Sequence, residues 1–171
     1  MTGRARTLLT GRRERMERVL GRSLSPLDVG SNEPLPDETR AYLLSEAQDL
    51  YWNELEWENV TDEEALDEGP VAEFTFPGLL AYVRGLLLTE VMPDALAPAN
   101  PRPQVVGDLL EFLADRVVEL EEGLASPAAT EPERLRSELD MTSDVIDRVM
   151  YLYHGLEQGD VEQLEGAEAS A

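Results

Sequence analysis

The sequence predicts an all-α protein, a bundle of four to five helices with proline-rich connections. Apolar residues recur every three or four positions along four segments of the chain, which is the spacing of one buried helix face. The intervals between these segments are rich in Pro and Gly, which interrupt helices. The chain has 171 residues, of which 42% are hydrophobic, so it can bury the core of one domain.

The first long helix of the bundle is expected from Asp37 to about Glu58. Its apolar residues share one face, and they are Leu43, Ala47, Leu50 and Tyr51. Thr61 and Glu64 have the spacing of a capping box, in which each side chain accepts a hydrogen bond from a free backbone N–H. A short separate helix is therefore expected at 62–67.

The apolar segment 76–92 is expected to form a buried helix. Pro77 suits its first turn, where a backbone N–H has no partner in the helix, and Pro93 ends it. The segment contains Arg84 and Glu90 and is short for a helix that spans a bilayer. No membrane association is predicted.

Glycines are expected to end the last two helices. Gly123 follows the helix that is predicted over 104–122. Thr130 is suited to cap the start of the final helix. We expect Gly155 to end that helix in the left-handed conformation, which turns Leu156 back onto the bundle.

Charge divides the chain into three parts. The N-terminal arm, 1–29, is basic, since residues 3–22 contain seven of the fourteen arginines and only two acids. The helical bundle is predicted over 30–158, and a flexible acidic tail over 159–171. A short turn of helix is expected within the tail at 160–164.

The candidate interaction residues of the arm are Arg12, Arg13, Arg15 and Arg18. Because the rest of the chain is acidic, we favour docking of the arm within the molecule, with Met16, Val19 and Leu20 as its apolar contacts. The alternative is binding to nucleic acid, for which the five net positive charges of residues 1–22 give a small electrostatic footprint. A third interpretation places the translational start at Met16.

The overall charge is strongly negative. There are 36 acids, 14 arginines and no lysine, for a formal net charge of −22. This charge repels itself in dilute buffer, whereas at about 1 M salt the screening length falls to about 3 Å. The composition resembles that of cytoplasmic proteins of salt-accumulating halophiles, so we expect a halophilic, cytoplasmic protein. The alternative is an acidic protein of a bacterium with a GC-rich genome.

No targeting segment is predicted. The pair Arg12-Arg13 is followed by charged residues, whereas a twin-arginine signal requires an apolar run after the pair.

No catalytic, metal-binding or cofactor-binding residue is predicted. The chain has no cysteine, and its single histidine is His154. Tyr151 lies three residues before it, so the Glu-x-x-His pattern of di-iron bundles is missing. We expect His154 to pack or cap near a helix C-terminus, where its cationic form is favoured.

Two acids, Glu54 and Glu90, fall on apolar helix faces. Paired inward carboxylates would suit acid–base catalysis, which is the least favoured of the functions considered. We expect instead that both acids lie in the last turns of their helices or pair with Arg84 or Arg116.

Trp52 is the fifth candidate interaction residue. It falls on the polar side of its helix, opposite Leu43 and Ala47. An exposed indole of this kind either contacts another protein or is covered by another part of the same chain. The basic arm is the candidate for that cover, because guanidinium groups stack on indole.

The segment 141–166 reads MTSDVIDRVMYLYHGLEQGDVEQLEG. It resembles the C-terminal tail of large type II restriction–modification methylases that carry a fused specificity region. The matching residues are Thr142, Ile146, Asp147, Tyr151, Gly155, Leu156, Val161 and Glu165. In that family the tail is a structural helix and turn, so the resemblance implies no catalytic residue in this chain.

These observations favour a non-enzymatic helical interaction or accessory protein of a halophile, whose partner is another protein. The resemblance of residues 141–166 implies a relation to DNA-modification systems. The alternative is a small DNA-binding or regulatory protein that uses the arginine arm. No cofactor is predicted, and the sequence does not indicate an oligomeric state.

Overall fold

The structure is a computed structural model that describes residues 3–25, 36–65, 76–88, 103–126 and 131–169. Six helices and no strand occur in these ranges, so the all-α prediction is confirmed. The helices are α1 (Gly3–Leu20), α2 (Asp37–Ala65), α3 (Pro77–Leu88), α4 (Pro103–Ala125), α5 (Pro132–Tyr153) and α6 (Gln158–Ala169). Their number exceeds the predicted four to five because the arm and the acidic tail each form a packed helix.

Helix α4 forms the centre of the core. It packs against α1, α2, α3 and α5, and α5 is its most extensive neighbour. Its buried apolar residues are Val105, Val106, Leu109, Leu110, Leu113, Ala114, Val117, Val118 and Leu120. The facing stripe of α5 consists of Val145, Ile146, Val149 and Met150. Amphipathic spacing therefore predicts correctly which faces are buried in these two helices.

Three helices begin at a proline, namely Pro77, Pro103 and Pro132. The prediction for Pro77 is confirmed, because α3 begins at this residue. Proline suits the first position of a helix, where the backbone N–H would have no helical partner. The residues before two of them, Phe76 and Glu131, have positive φ values of 53° and 55°. A residue before proline is hindered in the right-handed helical region, so the chain turns sharply into each helix.

The boundaries of two helices differ from those predicted. Helix α2 continues without interruption to Ala65, whereas a separate helix was expected at 62–67. No Gly or Pro lies between Glu58 and Thr61 to end it. Helix α4 likewise passes through Gly123, because a single glycine weakens a helix by only about 1 kcal/mol.

The basic arm docks on the body, as its apolar stripe predicts. Helix α1 packs against α4 and α6. Met16 is buried, and Val19 and Leu20 are partly buried against the main core. The predicted boundary between residues 29 and 30 lies outside the described residues.

The acidic tail is helical over most of its length, where the sequence predicts only a short turn of helix in a flexible segment. Leu164 of α6 is buried, and α6 packs against α1. The Gln163 side chain donates a hydrogen bond of 2.9 Å to the carbonyl oxygen of Val19. An apolar residue and a side-chain amide on neighbouring positions thus give α6 a docking contact that charge counting does not reveal.

Gly155 ends α5 in the predicted left-handed conformation, with φ of 64°. Its N–H donates to the carbonyl of Leu152 at 3.1 Å, and the N–H of Leu156 donates to Tyr151 at 2.9 Å. This pair of bonds is a Schellman motif, which satisfies the last carbonyls of the helix. Leu156 turns back and packs against the core.

Glu54 caps the start of α3. Its Oε1 accepts a hydrogen bond of 2.5 Å from the Gly78 N–H, and its Oε2 accepts one of 3.4 Å from the Leu79 N–H. Burial raises the pKa of the Glu54 carboxyl, and these two donors partly offset the rise. The expectation that Glu54 lies in a last turn or pairs with an arginine is therefore wrong. Glu90 lies outside the described residues.

Replacement of Gly78 by alanine tests this cap. A Cβ at position 78 would overlap Oε1 of Glu54, so we expect Gly78→Ala to displace the carboxylate and to lower the free energy of unfolding by about 1 kcal/mol. Gly107→Ala is the control, because the nearest atom to its Cβ, the Tyr153 hydroxyl oxygen, lies 3.9 Å away. That variant should be as stable as the parent or up to about 1 kcal/mol more stable.

Chemical denaturation of both variants, alone and combined with Glu54→Ala, measures the effect. If Gly78→Ala destabilises the Glu54→Ala protein as much as the parent, the cost does not come from the cap.

Candidate functional site

Arg12 is the most deeply placed of the predicted interaction residues. One of its terminal nitrogens donates to the Ser143 carbonyl at 3.0 Å and to Oδ1 of Asp147 at 2.6 Å. Its other terminal nitrogen donates to the Ser143 hydroxyl. Arg12 therefore fastens α1 to the middle of α5, and its charge is balanced by Asp147.

Two further arginines tie the ends of the basic segment. Arg4 lies 2.9 Å from a carboxylate oxygen of Glu122 on α4. Arg22 makes two hydrogen bonds to the carboxylate of Asp160 on α6, at 2.7 and 3.1 Å. These bonds raise the pKa of Arg22 and lower the pKa of Asp160. Three of the seven arginines of this segment are thus paired with acids of other helices.

The other predicted arginines are exposed and point to different sides of α1. Arg13 lies 3.8 Å from Glu17 on its own helix. Arg15 borders the same cleft as Arg12, and Arg18 borders a shallow groove that also contains Glu14. Acids alternate with these cations, so they do not form a continuous basic stripe.

A cleft of about 280 Å³ lies between α1, α5 and α6. Its lining residues are Arg12, Arg15, Met16, Val19, Ser143, Asp147, Tyr151 and Leu164. The Ser143 hydroxyl bonds to a guanidinium group, which cannot accept a proton from it. The cleft therefore pairs a serine with a cation rather than with the base that nucleophilic catalysis requires.

Trp52 is partly covered by an arginine, but this arginine comes from α4 and not from the arm. The guanidinium carbon of Arg116 lies 5.1 Å from the centroid of the indole ring. The rings of Tyr51 and Phe112 contact the indole edge-on, with centroids 5.0 and 6.2 Å away. Trp52 nevertheless remains 43% exposed. The expectation that the arm covers it is wrong.

Arg116 is held in place by carboxylates. One terminal nitrogen lies 3.2 Å from Glu138 on α5, and the other lies 3.2 Å from Glu119 on α4. Glu138 is only 6% exposed and also receives Arg134 at 3.5 Å. A buried carboxylate requires such partners, so Glu138 and Arg116 depend on each other.

A buried hydroxyl pair lies beside this ion pair. The hydroxyls of Tyr51 on α2 and Thr142 on α5 are 2.9 Å apart. Burial raises the pKa of the Tyr51 phenol, while the bond to Thr142 and the charge of Arg116 lower it less. The Tyr51 hydroxyl therefore stays protonated and joins α2 to α5 as a neutral hydrogen bond.

His154 ties the end of α5 to the chain after α1. Its Nδ1 donates a hydrogen bond of 3.1 Å to the Ser25 carbonyl. Burial lowers the pKa of His154, and nearby Arg13 lowers it further, against opposing contributions from Ser25 and Glu17. The expectation that the helix terminus favours the cation is wrong, because desolvation is the larger effect.

In the described part of the chain, no group of three or more His, Cys, Asp or Glu residues is placed to hold a metal ion. The helices described there also lack the combination of length and hydrophobicity that is needed to cross a bilayer.

The residue that sequence reasoning missed is Tyr42. It is 63% exposed and lies on α2 with Trp52. Five exposed residues share this side of the helix, which we call the outer face of α2, and they are Glu38, Tyr42, Ser45, Asp49 and Trp52. The helical spacing of 42, 49 and 52 was available in the sequence, but the apolar neighbours of Tyr42 obscure it.

Comparisons with known proteins give no match to a protein-family model, a curated protein or a solved structure. The function therefore has to be inferred from these residues.

Replacement of His154 by glutamine tests whether the pKa of this side chain is lowered in the folded protein. Because the pKa of His154 lies below 6.5 in the folded protein, the unfolded chain takes up a proton first as the pH falls. His154 should thus reduce stability progressively below about pH 6.5. In molar KCl, the urea midpoint of unfolding should fall more between pH 8 and pH 5.5 for the parent than for His154→Gln.

Glutamine is the suitable replacement because it keeps a side-chain N–H for Ser25. An identical pH dependence of the two proteins would show that His154 titrates normally.

Proposed function

We propose that this chain is a non-enzymatic helical protein that binds another protein through the outer face of α2. The observation that carries the proposal is the exposure of Tyr42 and Trp52 on that face, at 63% and 43%. Aromatic side chains are enriched at protein interfaces and supply much of their binding energy.

The setting of Trp52 supports this role. Arg116, Tyr51 and Phe112 surround part of the indole, so the ring is held in one orientation before any partner arrives. A side chain that is already ordered loses little entropy on binding. The exposed part of the ring is therefore a suitable anchor.

The non-enzymatic part of the proposal is supported by the way the polar side chains are used. Ser143 and Asp147 hold Arg12, Glu138 holds Arg116, and Glu54 caps a helix. These four groups, which could otherwise act in acid–base or nucleophilic chemistry, are engaged in contacts between helices.

We place the protein in a salt-rich cytoplasm. The proposal rests on the net charge of −22 and on the use of arginine without lysine. The ion pairs of Arg4 and Arg22 are exposed, and salt weakens such pairs, but it weakens the repulsion among the many acids as well.

The alternative function, DNA binding by the arginine arm, is favoured only by the exposure of Arg13, Arg15 and Arg18. Arg4, Arg12 and Arg22 make ion pairs within the molecule, which reduces the charge available for phosphates. A role beside DNA-modification enzymes is a proposal that rests on the resemblance of residues 141–166.

Salt should be required for folding. Far-UV circular dichroism should show a helical spectrum in molar KCl and a substantial loss of helix in dilute buffer, because unscreened acids repel each other. Equal helicity and equal melting temperatures at both ionic strengths would contradict the halophilic assignment.

Site-specific cross-linking tests the binding surface. A photoreactive phenylalanine analogue at Tyr42 should form a cross-link to one protein in the native host, and the same analogue at exposed Arg136 on α5 should not. The purified partner should bind the parent and lose affinity for Trp52→Ala. Cross-linking at position 136 but not 42, or unchanged binding by Trp52→Ala, would place the interaction elsewhere.

A further inference from the structure

The outer face of α2 repeats one arrangement of side chains. Glu38 precedes Tyr42 by one helical turn, and Asp49 precedes Trp52 by one turn. All four side chains are exposed. Residues three or four apart on a helix have Cβ atoms about 5–6 Å apart, so each ring has a carboxylate beside it. The two rings are ten residues apart, which corresponds to about 15 Å along the helix.

One contact within the molecule shows which chemical group an aromatic ring and nearby carboxylates can bind together. Arg116 lies over the indole of Trp52, 5.1 Å from its centroid, while Glu138 and Glu119 hold its nitrogens at 3.2 Å. A guanidinium group is thus bound between an aromatic face and carboxylates. The exposed part of Trp52, with Asp49 beside it, offers the same chemistry outward.

We propose that the outer face of α2 binds an arginine-bearing segment of a partner protein. One guanidinium group lies against Trp52 and pairs with Asp49, and a second, about 15 Å away, lies against Tyr42 and pairs with Glu38. This inference rests on the proposed function and names the chemistry of its partner.

Charge disfavours the main competing occupants. A second copy of this chain, or another acidic protein, would carry a like net charge, and the exposed arginines of α1 in a second copy lie among acids of the same helix. Arginine is favoured over lysine because its guanidinium group is planar, weakly hydrated and stacks on aromatic rings. Stacking also persists at molar salt, where the Coulomb attraction of an ammonium group is screened.

A peptide of defined spacing tests the inference. The probe is a fluorescein-labelled, alanine-based helical peptide with two arginines ten positions apart, and its anisotropy is measured with the full chain in dilute and molar KCl. The arginine peptide should bind under conditions in which the protein is folded. The lysine version should bind at least about threefold more weakly in molar KCl. A peptide with both arginines on adjacent turns should also bind more weakly.

Protein variants locate the contact. Trp52→Leu and Asp49→Asn should each weaken binding about two- to fivefold. Asp140→Asn is the matched control, because it removes one charge from an exposed position on α5. Circular dichroism confirms that each variant is folded. Equal effects of Asp49→Asn and Asp140→Asn, or equal binding of the arginine and lysine peptides in molar KCl, would overturn the inference.

The outcome also separates the inference from the function on which it rests. If position 42 cross-links a partner but the arginine peptide does not bind, the arginine assignment is wrong and the proposed function stands. If neither occurs, both are wrong. Self-association that is lost in Trp52→Leu would identify a second copy as the occupant and would likewise overturn the inference.

Discussion

Arginines between helices hold this acidic bundle together. Arg12 joins α1 to α5, and Arg116 joins α4 to α5 while it covers Trp52 of α2. Arg40 joins α2 to α4 through two bonds to Asp108, at 2.5 and 2.7 Å, which raise the pKa of Arg40. With 36 acids in the chain, a cation between carboxylates of neighbouring helices reduces the repulsion between those helices.

These ties differ in strength because they differ in exposure. The side chains of Arg12 and Arg116 are 23% and 22% exposed, whereas those of Arg4 and Arg22 are 59% and 50% exposed. Water and salt screen exposed pairs almost completely, and such pairs contribute little to stability. The two more deeply buried arginines therefore contribute more to the contacts of α5 with α1 and α4 than the exposed pairs at the ends of α1 contribute.

The sequence predicts which helix faces are buried more accurately than it predicts which distant residues contact each other. Periodicity identifies the buried stripes of α1, α4 and α5, and the local chemistry of Pro77 and Gly155 marks a helix start and a helix end. These features depend on residues that are close together in the chain. The capping role of Glu54 does not follow from the sequence, because the backbone N–H that it binds belongs to Gly78. Spacing patterns relate only residues that are close together in the chain.

The same limit applies to the candidate binding surface. The sequence predicts an exposed Trp52 but points to the basic arm as the source of its cation, because Arg116 lies 64 positions away and no local pattern connects the two residues. The sequence does not single out Glu138, because one acid beside the apolar stripe of α5 also fits a solvated helix edge. Long-range pairs of this kind follow from the packing of the core, which composition and spacing do not specify.

The packing of the core and the presentation of Trp52 depend on one group. Arg116 balances the buried carboxylate of Glu138 and at the same time lies over the indole. If Glu138 were removed, the guanidinium group would lose its α5 partner and could move toward solvent, and the indole would lose the contact that fixes it. If Trp52 were removed, the ion pair would become more hydrated and the contact between α4 and α5 weaker. The surface that we propose for binding is therefore ordered by the interaction that joins the central helices, which places a rigid aromatic anchor on an otherwise acidic and strongly hydrated surface.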